Sequence, residues 1–273
     1  MEAVLDEVLA QSSNDEIGVY YFWNDLVKAK SQELHFSNQF DAPKFDSSAK
    51  LPDKMKKFGF YILNLGTRDG RSGTHAFIRG GKPIPGEDYP GYHNFEKIES
   101  TEHVRVKRDL LSYLGKSEAQ TSSNLFNYGI IQRFLGIPPE KKMIIHVGRR
   151  TRVSFTIRVP AQHKLVTIQA RKVQIEIDTL YEYDNTVVHV EIKNSESDDF
   201  SIHQLFTPRY YIEERLKDLS NLEGERPKVR SIYAVGLIGS APLYRLYEYT
   251  FEEPDRLNSI KFFNSKQYVV DYV

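Results

Sequence analysis

The sequence predicts a globular chain of α/β or α+β organisation, and three observations predict it. First, 40% of the 273 residues are hydrophobic and 12% aromatic, enough to bury a sizeable core. Second, the chain after residue 137 alternates apolar and polar residues in one segment after another, the period-2 signature of strands. Third, one helical pattern, residues 202–219, falls between two such strands, 186–193 and 229–238.

Residues 2–10 read as a short amphipathic helix, with Val4, Leu5, Val8 and Leu9 on one side. Residues 31–55 are polar, carry Pro43 and Pro52, and are expected to form an extended connection. Phe58-Gly-Phe-Tyr-Ile-Leu-Asn-Leu65 reads as a strand running into a glycine-rich basic stretch, 66–75, and residues 83–90 as a further loop. Two helices are expected next, 101–114 ending at Gly115 and 122–135 ending at Gly136-Ile-Pro-Pro139. Strands follow over 143–147, 153–159, 165–176 and 186–193, then the helix, then strands at 229–238, 244–251 and 268–273. The break at Gly136 is the expected division between an N-terminal region, 1–136, and a second part, 137–273.

The absence of cysteine removes disulfides, thiolate metal sites and cysteine nucleophiles together. No apolar run approaches the roughly 20 residues of a membrane span. Met1-Glu-Ala-Val-Leu-Asp-Glu lacks the basic start and apolar stretch of a signal peptide, so a soluble, cytoplasmic protein is expected.

The formal net charge of +0 conceals segregation. Over residues 141–172 every ionised group is basic, including Arg149, Arg150, Arg152, Arg158, Arg171 and Lys172. Over 173–200 the balance inverts, with Lys193 the single cation among eight carboxylates. Two solvated strand faces of opposite sign explain this, and so does a basic rim for phosphates beside an acidic centre for a metal ion.

The informative stretch is Val173-Gln-Ile-Glu-Ile-Asp178, then a turn at Asp184-Asn185, then Thr186-Val-Val-His-Val-Glu-Ile-Lys193. Both arms alternate, so an antiparallel hairpin brings Asp178, Glu191 and Lys193 to one surface. Two carboxylates there hold a hard cation such as Mg²⁺ through oxygen, and a nearby ammonium adds positive charge where a phosphate would sit. Such a group suits phosphodiester hydrolysis. The spacing does not decide the matter, because Glu140-Lys-Lys142 repeats the acidic-x-Lys triplet and an ordinary solvent-facing hairpin alternates as well.

In Ile177-Asp178, Glu191-Ile-Lys193 and the following Asp199-Phe-Ser-Ile-His-Gln-Leu-Phe-Thr-Pro-Arg-Tyr-Tyr211, the chain resembles the PD-(D/E)XK nuclease superfamily, especially type II restriction endonucleases. The resemblance covers about 173–216, extends loosely to the C-terminus, and departs at Ile177, where the name-giving motif has Pro. It implies an α/β fold with a restriction-endonuclease-like catalytic core over 137–273, a central mixed β-sheet flanked by helices. Residues 1–136 would form an additional N-terminal α+β region that supplies most DNA recognition. It further implies Asp178 and Glu191 as Mg²⁺ ligands, Lys193 as the catalytic lysine, and Gln204 as a group that positions water or a phosphate. Family members often draw another acidic group from a preceding helix, for which Glu118 is the nearest candidate, and Glu176 is a further candidate ligand. The implied partner is double-stranded DNA, bound by a homodimer with no membrane involved. A structure-directed repair or recombination nuclease and a non-catalytic DNA-binding module are the alternatives.

Arginine and lysine in the glycine-rich stretch, Arg68, Arg71, Arg79 and Lys82, are candidate DNA contacts, as are Arg149, Arg150 and Arg152. The stretch is not a Walker loop, and no GxSxG elbow supports a serine hydrolase. His189 shares the polar face of its strand and either touches substrate or sits partly buried. His146, His163 and His203 have no zinc-site spacing. Trp23 with Tyr20, Tyr21 and Phe22 reads as core rather than a base-stacking platform.

Overall fold

The computed structural model describes residues 1–12, 17–33, 42–82, 85–107, 117–162, 164–217, 226–239 and 241–273. The strands are β1 (Val19–Trp23), β2 (Phe60–Arg68), β3 (Arg71–Arg79), β4 (Tyr92–Asn94), β5 (Thr101–Val106) and β6 (Ile144–Ala161). They continue as β7 (Lys164–Tyr183), β8 (Thr186–Lys193), β9 (Asp199–Ser201), β10 (Lys228–Leu237), β11 (Leu243–Phe251) and β12 (Ile260–Tyr272). The helices are α1 (Glu2–Gln11), α2 (Asn24–Glu33), α3 (Asp53–Phe58), α4 (Glu118–Asn127), α5 (Ile130–Leu135) and α6 (His203–Leu216).

Among the described residues, ten strands form one sheet in the order β1-β3-β2-β7-β8-β10-β11-β12-β5, with β6 pairing β7 beside this path. The sheet is mixed: β8–β10, β5–β12 and the single β2–β7 bridge run parallel, the rest antiparallel. With helices on both faces this is an α/β architecture. Alternation along the central strands decides which side chain meets which layer. Val188, Val190 and Ile192 pack with Leu125 of α4 and Ile131 of α5. Tyr233 and Val235 pack with Leu205 and Phe206 of α6 on the other face. The α6 helix is also the crossover that makes β8 and β10 parallel.

The β7–β8 hairpin forms as the sequence predicts, with Asp184 at φ 47 in the turn and Tyr183 opposite Thr186. Several other expectations need correction. Residues 101–106 form β5 rather than the start of a helix, because Val104 points into the core while Thr101, His103 and Arg105 point out, a period of two. The rest of that expected helix, 108–114, lies outside the described residues. The segment 122–135 is two helices, since Gly129 takes φ 65 between α4 and α5. The glycine-rich stretch 66–75 is mostly β-hairpin, with β2 and β3 paired from Phe60↔Arg79 to Arg68↔Arg71. Within residues 31–55, α2 ends and α3 begins, so that stretch is not wholly extended; 34–41 lie outside the described residues.

The sheet crosses the expected division at Gly136, because β1, β2, β3 and β5 precede it and join the same sheet. The junction depends on Gly66, at φ 72, where an added Cβ would collide with the Arg171 carbonyl oxygen. Glycine allows the two backbones to touch there. No helix among the described residues is long and apolar enough to cross a membrane.

Candidate active site

The hydrogen-bond ladder between β7 and β8 ends at Thr179↔Val190. One step further stand Asp178 and Glu191, and the Asp178 carboxylate takes the place of a backbone acceptor: Ile192 N–H donates to its Oδ2 at 2.8 Å. Glu191 is only 6% exposed, because β8 is covered on this face too. Its Oε1 accepts from Lys193 Nζ at 2.7 Å and from Gln204 Nε2, in the first turn of α6, at 3.2 Å. Glu118 Oε1, at the start of α4, lies 3.8 Å from Lys193 Nζ.

Asp178, Glu191, Lys193 and Gln204 are therefore brought together, and Glu118 joins them. Glu176 does not, since it turns outward and pairs with Arg150 at 2.9 Å. Sequence reasoning missed Asp46. Its Oδ1 accepts from Gln204 Nε2 at 3.0 Å across 158 residues of sequence. A lone Asp in a polar connection carries no periodicity that would have marked it.

Burial pushes the Glu191 carboxyl up to about 8, with Lys193 opposing and Asp178 reinforcing the rise. Asp178 is raised by burial, against the pull of the Ile192 amide and Lys193. Glu118 is raised by burial too. Burial works against the Lys193 ammonium, yet its contact with Glu191 holds it above the ordinary lysine value, so it stays charged. Buried charge at this density is costly to maintain, and perturbed carboxyls of this kind concentrate at functional sites.

A cleft of roughly 500 Å³ opens beside the group, lined by Asp46, Lys50, Lys193, Ser195, Tyr233 and Arg245 among others. Its size falls within the roughly 300–1,000 Å³ of ordinary ligand pockets. Among the described residues no set of three or more His, Asp or Glu converges as a closed metal cage. Mg²⁺, however, is bound through one or two carboxylates and keeps several waters. Asp178 and Glu191 could supply such a donor set, since both offer hard carboxylate oxygens at neighbouring positions.

The basic candidates divide. Arg68 and Arg71 face each other at the tip of the β2–β3 hairpin, Arg68 3.7 Å over the Tyr21 ring and Arg71 5.1 Å over Trp23. Phe22 and Tyr20 are core, so the N-terminal aromatics serve as core on one face and as arginine supports on the other. Arg150 and Arg152, on β6, flank β7 on the side opposite β2. Arg149 donates to the Tyr211 hydroxyl at 3.0 Å. Arg79 lies at the far end of β3, and Lys82 is exposed beyond it.

His189 is fully buried and cannot touch substrate. Burial pushes it down to about 3, and neither ring nitrogen has a partner among the described residues. His203 is held to about 4 by burial and bonds Ser201 Oγ at 2.7 Å. His146 is exposed on β6, and His163 lies outside the described residues.

A family model described as "Domain of unknown function (DUF6997)" matches residues 87–269. No curated protein and no solved structure matches the chain.

Proposed function

The chain belongs to the DUF6997 family, whose description assigns no function, and from its site we propose that it is a Mg²⁺-dependent endonuclease of double-stranded DNA. The observation that carries this reading is Glu191: a carboxyl 6% exposed, in contact with Lys193 and Gln204, one step past the ladder from Asp178. An ordinary solvated hairpin has no such buried, hydrogen-bonded carboxyl. The placement of these groups on β7, β8 and α6 is in keeping with a restriction-endonuclease-like core of the PD-(D/E)XK type, and action at a specific sequence is part of the proposal.

Asp178 and Glu191 are the residues that would hold Mg²⁺, which supplies Lewis-acid stabilisation of charge on the phosphate. Lys193, kept protonated by Glu191, places a fixed positive charge and hydrogen-bond donor beside the scissile phosphate. Hydrolysis forms a bond from water oxygen to phosphorus and breaks the phosphorus bond to the leaving sugar oxygen. The attacking water gives its proton to solvent and the leaving sugar oxygen takes one up from solvent, while the Lys193 ammonium orients the water. Arg68, Arg71, Arg150 and Arg152 provide the backbone-contacting surface. A cytoplasmic homodimer would match a palindromic site and cut both strands.

The test is a digest of long duplex DNA in millimolar Mg²⁺, beside EDTA and Lys193→Ala controls. Discrete bands lost in both controls are expected. A smear would replace sequence-specific cleavage with structure-directed cleavage, and DNA left intact under all conditions would sink the nuclease reading.

A further inference from the structure

We propose that Asp46, supplied by the segment before α3, is a positioning residue of this site, fixing the carboxamide of Gln204 together with Glu191. The catalytic consequence rests on the nuclease reading; the contact itself does not. A carboxamide has two N–H donors and one carbonyl acceptor. Both donors of Gln204 are committed, to Asp46 Oδ1 at 3.0 Å and to Glu191 Oε1 at 3.2 Å. Oxygen and nitrogen of such a group are ordinarily assigned from their hydrogen bonds. Here the surroundings dictate the answer, because the reverse orientation would set the carbonyl oxygen against two carboxylate oxygens.

The consequence is the state of Gln204 Oε1. It is buried and accepts from no group among the described residues. A buried acceptor held in one orientation, next to Glu191 and Lys193, is an acceptor kept for a water or a substrate group. Removing Asp46 frees one N–H of the amide and lets the side chain turn.

Asp46 is itself firmly held. Ser201 N–H of β9 donates to the Asp46 carbonyl at 2.8 Å, and Ser48 N–H donates to Asp199 Oδ1 at 2.8 Å. The Tyr92 hydroxyl of β4 donates to the Phe45 carbonyl at 3.2 Å, and Lys50 Nζ lies 3.3 Å from Asp46 Oδ2. The segment is clamped onto the β4–β9 ribbon immediately before α6, which carries Gln204. Asp46 also lies outside residues 87–269, so the matched region does not contain the whole site.

The experiment compares Asp46→Ala, Asp46→Asn, Gln204→Ala and the Asp46→Ala/Gln204→Ala double variant in the full chain. Asn keeps an oxygen that accepts from the amide, so Asp46→Asn is expected to cleave DNA close to wild type. Asp46→Ala is expected to lower kcat about 10- to 100-fold with KM little changed. The double variant should be no slower than Gln204→Ala alone, because the two residues act through one contact. Multiplying effects, or an Asp46→Ala enzyme at wild-type rate, would overturn the proposal. So would Asp46→Asn losing both cleavage and Mn²⁺ affinity by calorimetry, which would make Asp46 a cation ligand. If the wild type does not cleave DNA, the nuclease reading fails, and the contact is judged by the side-chain NH₂ resonances of Gln204. Protected protons that shift in Asp46→Asn are expected; unprotected, unshifted ones overturn the contact, whether or not Asp46→Ala folds.

Discussion

The Asp178 carboxylate accepts the amide proton of Ile192 at 2.8 Å, where the backbone ladder of β7 and β8 has ended. A side chain thus does the work of a backbone carbonyl at the step where the two carboxylates stand. Hydrogen bonding to the charged form and proximity to Lys193 favour ionisation, while burial opposes it more strongly.

This contact shapes the first prediction. In Asp178→Asn the amide oxygen still accepts from Ile192, so the hairpin and the fold are retained. The negative charge is lost, and with it the proposed cation ligand. Cleavage should fall by at least about 10²-fold, a loss typical of removing one electrostatic partner from a reacting site. Thermal denaturation should stay near wild type and duplex binding should survive. A variant that still cleaves at wild-type rate removes Asp178 from the chemistry.

Much of this site was legible because β7 and β8 alternate strictly and Asp184-Asn185 marks their turn. Period two fixes which residues share a face, so the meeting of Asp178, Glu191 and Lys193 follows from the pattern alone. What covers that face does not follow. The same alternation serves a solvated strand, and only the return of α6 over β8 makes Glu191 buried. Asp46 was illegible for a related reason, since its contact with Gln204 spans 158 residues and no local pattern encodes it. At residues 101–114 the Gly115 stop signal suggested a helix. The strand that forms there pairs with β12, about as far away in the chain as Thr101 is from Gln267, and local propensity yields to that pairing.

Glu191 gives a pH dependence with a definite sign. Its folded carboxyl is pushed up to about 8, above the ordinary 4.5, so the folded state holds this proton more tightly than the unfolded chain. Its contribution to stability is therefore fully present below about pH 4.5 and is lost as pH rises through about 8. Lys193 is held above the ordinary lysine range and does not titrate in this window. Glu191→Gln removes the titration, so the wild-type melting temperature should fall relative to that of the variant as pH rises from about 5 to about 9, and the gap between them should change across that range. Millimolar Mg²⁺ should raise the melting temperature of the wild type at the alkaline end but not that of the variant. A gap that is constant with pH would refute the assignment.

His189 tests whether every polar residue on this strand belongs to the site. It is buried, pushed down to about 3, and lacks a partner on either ring nitrogen; Ser231 Oγ, opposite it on β10, also lacks one among the described residues. An unsatisfied buried polar group typically costs about 1–3 kcal/mol, and an apolar group of similar size avoids that cost. His189→Leu should match or exceed wild-type thermal stability and leave cleavage unchanged. A clear loss of activity in a folded His189→Leu protein would bring the imidazole back into the mechanism.

On the proposed function, Arg68 and Arg71 are the basic residues expected to meet the phosphate backbone. Tyr21 and Trp23 support their guanidinium groups from one side, at 3.7 and 5.1 Å, which limits the freedom lost on binding. Their hairpin joins β7 at Gly66↔Arg171, and the parallel direction carries its tip along β7 toward Asp178. Arg79 lies at the other end of β3, eight steps or about 26 Å from Arg71 at roughly 3.3 Å per residue. Binding to an uncleavable complex, made with Asp178→Asn, separates the two. Arg68→Ala with Arg71→Ala should weaken duplex binding and reduce the salt slope by about 0.9 for each phosphate that is no longer neutralised. Arg79→Ala should leave the slope unchanged. If Arg79→Ala changes it and the hairpin pair does not, the duplex runs along the opposite edge of β3 and the proposed interface is misplaced.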